Sequence, residues 1–70
     1  MRLFNRPKLR LERIPVGINS VFVLFVDRGK DTMQLKTWAD PWEDGGVKSK
    51  HYSKNLSVIS GIKLIDNTHE

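Results

Sequence analysis

Six consecutive apolar residues, Val21-Phe22-Val23-Leu24-Phe25-Val26, sit in a chain of only 70 residues. β-Branched and aromatic side chains dominate the run, so it reads as a strand. In a strand, Val21, Val23 and Phe25 point one way while Phe22, Leu24 and Val26 point the other. Both faces are apolar, the pattern of a central strand covered on two sides. A chain of this length buries about 60% of the surface its unfolded form exposes. A single thin sheet would therefore leave one of the two faces wet. Three coverings can supply what is missing: closure into a barrel, the N-terminal segment, or another subunit.

The flanking segments extend the β pattern. Asp27-Arg28-Gly29-Lys30-Asp31 is a polar tip with a glycine, and Thr32 to Trp38 alternates behind it. The two runs predict a hairpin. Upstream, Leu9 to Ile14 predicts a first strand with a bulge, because Ile14 and Val16 fall out of step with Leu9 and Leu11. Ala39 to Gly46 carries the turn signals Asp40-Pro41 and Gly45-Gly46. Val47 to Ser53 predicts a short polar edge strand. The alternation of Leu56, Val58, Ser60, Ile62 and Leu64 predicts a long final strand kinked at Gly61. Prolines at 7, 15 and 41 argue against long helices. The expected fold is all-β: one domain over 1–70, an antiparallel barrel or strongly curved five-stranded sheet, SH3-like or OB-like in size only. Its expected core includes Val21 to Phe25, Leu35, Val58 and Ile62. Residues 1–8 form a basic arm and 66–70 a polar tail.

The chain has no cysteine, which removes disulfides and thiolate-bound zinc as staples. Self-association is the other way for so small a domain to gain buried surface, so a homo-oligomer is one expectation. The absence of cysteine also favours a cytoplasmic location over a secreted one. No segment approaches the roughly 20 apolar residues of a membrane span. Arg6, Lys8, Arg10 and Arg13 interrupt every stretch that could serve as a signal peptide.

The net charge of +4 is unevenly distributed. Arg2, Arg6, Lys8, Arg10 and Arg13 precede Ile14, opposed only by Glu12. Lys48, Lys50 and Lys54 flank His51 and Tyr52 with no acid among them. Basic side chains interleaved with an aromatic suit phosphates and a stacked base. The bland counterpart is a solvated face and an arm folded over the core. Between the clusters, Trp38, Asp40, Trp42, Glu43 and Asp44 share one loop region with Pro41. Tryptophan on a proline-stiffened loop suits protein recognition. Its carboxylates alone lack the ligand spacing of a calcium loop, so no metal is expected. The bland counterpart is one tryptophan plugging the sheet's end while the carboxylates are solvated.

Catalysis has little to work with. Ser53, His51 and Asp44 make a triad on paper, but nothing at these spacings orients a base or supplies an oxyanion site. Gly45-Gly46 lacks the strand-to-helix context of a phosphate loop. The sequence therefore points to a non-enzymatic module with no cofactor, no small-molecule substrate and no membrane partner. It would act through protein contact, as an adaptor, inhibitor or assembly subunit. A chain of this length that begins at Met1 suits an accessory protein of a phage or mobile element. The alternative is nucleic-acid binding through the basic arm and the Lys48–Lys54 cluster.

Overall fold

The apolar run occupies an inner strand of a four-stranded sheet. The computed structural model describes residues 6–42 and 44–68. Three long strands, β1 (Lys8–Val16), β2 (Asn19–Arg28) and β3 (Asp31–Asp40), form an antiparallel meander. A helix, α1 (Gly45–Ser60), then crosses the sheet and leads into β4 (Leu64–Asp66). β4 pairs parallel with β1, giving the order β3-β2-β1-β4. The sheet is open, so the expected closed barrel and fifth strand are corrected.

Both hairpins close through two residues with glycine first: Gly17-Ile18 between Val16 and Asn19, and Gly29-Lys30 between Arg28 and Asp31. Gly17 and Gly29 have φ of 63° and 62°. That left-handed first position is what tight II′-type hairpins need. The β2–β3 hairpin lies where the sequence placed it. The predicted bulge does not: β1 pairs with β2 without a break, and the register shift falls between Leu24 and Phe25 opposite β3. There Leu24 faces Lys36 and Phe25 faces Gln34, leaving Leu35 as the extra residue. Pro15 is accommodated because β1's odd-numbered residues turn their backbone outward, as Leu9 and Leu11 do toward β4's side. β4 ends before reaching Pro15, so its missing N–H leaves no partner unpaired.

The helix is the main departure from expectation. Residues 45–60 turn Gly45, Ser49 and Ser53 into the molecule at intervals of four, with Leu56 completing the stripe. These small residues let the helix lie close to the sheet. A Cβ on Gly45 would stand 2.9 Å from the Ala39 carbonyl oxygen and 3.1 Å from Phe22 Cδ1. Under the helix lies a core of Leu9, Leu11, Phe22, Leu24 and Trp38, flanked by Val26, Leu56, Ile62 and Leu64. Of the expected core, Leu35 and Val58 are exposed and Val21 and Phe25 are half-buried on the opposite face. The alternation read as one final strand spans the helix's C-terminal turns, the Gly61 break and β4.

Two substitutions test this packing. Gly45→Ala forces the helix off the Ala39 carbonyl, and the overpacking cost, about 1–3 kcal/mol, outweighs any gain in helix propensity. Among the described residues the buried Ser53 hydroxyl has no hydrogen-bond partner, so Ser53→Ala is expected to stabilise by about 1 kcal/mol. Urea unfolding of both variants reads the two opposite signs. A stabilised Gly45→Ala would mean the helix does not sit this close.

Candidate functional site

α1 covers one face of the sheet; no described element covers the other. That second face carries Arg10, Glu12, Ile14 and Val16 from β1, and Val21, Val23, Phe25 and Asp27 from β2. Thr32, Gln34, Thr37 and Ala39 continue it across β3. Its two halves differ in chemistry.

The half near the β2–β3 turn is roofed by polar side chains. The Arg10 guanidinium lies 4.4 Å from the centroid of the Phe25 ring. Its Nε donates to Asp27 Oδ2 at 2.7 Å and its Nη2 to Asp27 Oδ1 at 3.2 Å. Nη1 donates to Glu12 Oε2 at 3.2 Å. Thr32 Oγ1 donates to Asp27 at 2.8 Å and Asn67 Nδ2 to Glu12 at 2.6 Å. A cation held over an aromatic ring by a carboxylate fork shields apolar surface without a second layer. The Arg10 hydrogen bonds, followed by that of Thr32, hold Asp27 below the usual carboxylate range.

The half near the β1–β2 turn has no such roof. Ile14 and Val16 are exposed, and Ile18 at the turn tip is fully exposed. β3 ends at this same end of the sheet, because Asp40 pairs with Ser20. The chain continues through Pro41 to Trp42, which is 86% exposed. The two tryptophans therefore separate. Trp38, at 4% exposure, belongs to the core beneath the helix. It meets the Tyr52 ring edge-on at 5.4 Å, so it is not the surface contact residue the sequence suggested. Lys36 Nζ lies over both rings, at 5.8 Å and 5.4 Å. Asp40 is half-buried and Asp44 exposed at this end; Glu43 lies outside the described residues.

The expected nucleic-acid surface is divided. Arg10 sits on the uncovered face, committed to two carboxylates. Arg13 projects from the helix-covered face, opposite Phe22 in the register. Lys48, Lys50 and Lys54 follow the exposed side of α1, across the sheet from Arg10. Tyr52 is engaged with Trp38 and Lys36. Arg2 lies outside the described residues. Arg6 and Lys8 stand at the end bearing the β2–β3 turn, lining one hollow with Gly29 and another with Lys63. The paper triad is dispersed too: Ser53 is buried beneath the helix while His51 is exposed. No described helix is long and apolar enough to cross a membrane. Comparison with known proteins yields no matching family model, curated protein or solved structure.

The Arg10–Asp27 pair makes a pH prediction. Because folding depresses the Asp27 pKa, its stabilising contribution is intact above about pH 4, the unfolded value. It is lost as pH falls through the depressed folded value. Asp27→Asn should therefore melt below the native chain at neutral pH, with the gap closing below about pH 4. Thermal melts across that range check it; a gap independent of pH would mean the pair contributes only through shape.

Proposed function

We propose that the protein is a non-enzymatic module that acts through protein–protein contact, using the bare end of its uncovered sheet face. The observation that carries this reading is Trp42, exposed at the same end of the sheet as the fully exposed Ile18, where Ile14 and Val16 are also exposed. Large apolar side chains gathered at one end of a small domain mark a contact surface more than chance exposure does. Tryptophan is the residue type most enriched among those that dominate binding energy. The flanking Asp40 and Asp44 suit a polar rim. Among the described residues no constellation of base, nucleophile and oriented partner competes with this reading, since His51 and Ser53 lie on different sides of α1.

The expected outcome for Trp42→Ala is an unchanged melting temperature with contact weakened by about 2 kcal/mol or more. Ile18→Ser should act in the same direction. Melting curves, sedimentation across a concentration series and capture of a partner from nuclease-treated lysate read the three effects. Loss at sedimentation identifies the partner as a second copy; loss only at capture identifies a different protein. If Trp42→Ala unfolds the domain, Trp42 is a structural plug and the reading fails.

A further inference from the structure

We propose a second binding site at the opposite end of the molecule: a row formed by Arg6, Lys8, Arg28, Lys30 and Lys63 that holds the phosphate backbone of double-stranded nucleic acid without reading its sequence. The topology assembles this row from three distant segments. Lys63 immediately precedes β4, Arg6 and Lys8 open β1, Arg28 ends β2, and Lys30 sits in the turn to β3. Because the sheet order is β3-β2-β1-β4, these residues follow one another across the sheet's end. The Leu9 N–H bond to the Lys63 carbonyl, 2.8 Å, fixes two neighbours in the row. The Lys8–Asp27 pairing fixes the next.

All five side chains are exposed, and none makes an ion pair or side-chain hydrogen bond among the described residues. Two acids share this end. Asp27 is already taken by Arg10, which leaves Asp31. The end thus carries five cations against one uncommitted acid, Asp31, which pairs with Arg28 in the register, an excess of positive charge that a polyanion relieves. Its shape selects among polyanions. Strands lie about 4.8 Å apart, so the row extends roughly 15 Å, over which one DNA strand carries about four phosphates. Lys8 turns to the uncovered face and Arg28 to the helix-covered face, so the charges flank the sheet's end. A rod-like, evenly charged backbone lying along that end meets both sides better than scattered carboxylates or a fluid headgroup plane. No exposed aromatic side chain stands among the described residues of the row, so unpaired bases find nothing to stack on. The duplex, with twice the charge density of one strand, is the favoured form.

The test uses the full chain and a short fluorescent DNA duplex of random sequence, titrated across a salt series. The native chain should show log K falling with log salt at a slope near −4, from about 0.9 per neutralised phosphate. The triple variant Arg28→Gln, Lys30→Gln, Lys63→Gln should reduce that slope by about 2–3, and Lys30→Gln alone by about 1. The charge-matched control Lys48→Gln, Lys50→Gln, Lys54→Gln should leave the slope unchanged. Circular dichroism confirms the fold of each, and Lys30→Gln at an exposed turn keeps the test open if the triple variant unfolds. Equal loss in pole and helix variants would overturn the site, as would no duplex binding at low salt. Tighter binding to a single strand, to phosphatidylserine vesicles or to polyglutamate would overturn the ligand. Trp42→Ala should not alter duplex binding, which separates this site from the protein-contact surface.

Discussion

Everything in this fold follows from a central strand that is apolar on both sides, with one helix among the described residues to cover it. β2 places Phe22 and Leu24 under α1, where Leu9, Leu11 and Trp38 complete a core. The same strand necessarily turns Val21, Val23 and Phe25 to the other side. A larger protein would add a second layer. Here the second face is handled locally, by laying Arg10 over Phe25 and locking it to Asp27 and Glu12. An isolated exposed ion pair contributes little to stability. This one matters for where it is held, because the fork keeps a guanidinium over the Phe25 ring, which would otherwise meet water. The device reaches only half the face, and the other half is where the proposed contact surface lies.

The same economy shapes the helix. A 70-residue chain cannot afford a thick interface on every side, and α1 docks through Gly45, Ser49 and Ser53 instead of a stripe of large apolar residues. Close approach of backbone to sheet substitutes for side-chain volume. Its consequence is a helix with little amphipathic signal: the buried positions are small and polar, while Val47, Val58 and Ile59 are exposed. The helix persists because its small face fits the groove beside Phe22 and Ala39, and because Trp38 and Tyr52 interlock at its side.

That explains what the sequence disclosed and what it hid. The β2–β3 hairpin was legible within a few residues, since period-two alternation and a glycine tip are local signals. The two-sided run correctly implied an inner strand, but the second covering it called for is supplied by no described element. Residues 45–60 were not legible as helix, because a pattern of apolar side chains cannot register a buried stripe of Gly and Ser. The alternation of Leu56, Val58, Ser60, Ile62 and Leu64 was a coincidence of phase across an element boundary. In the candidate site, the exposure of Trp42 after Pro41 was legible, whereas the burial of Trp38 depended on the helix. The basic row was invisible for a different reason. Arg28, Lys30 and Lys63 are unremarkable in sequence and become neighbours of Arg6 and Lys8 only through strand order.

The two hairpin turns give the clearest separation of folding from function. Each needs glycine at its first position, and Gly17 and Gly29 supply it with nearly the same φ. Neither turn constrains its second residue, which points into solvent. One turn places an isoleucine there and the other a lysine, on opposite ends of ten-residue strands. A fully exposed isoleucine adds nothing to the core and lowers solubility, and a lysine beside four other cations adds repulsion. Neither choice is explained by stability. The same turn, used twice, carries an apolar tip at the end that bears Trp42 and a cationic tip next to Arg28. What the fold leaves free at its two ends is where both proposed contacts lie.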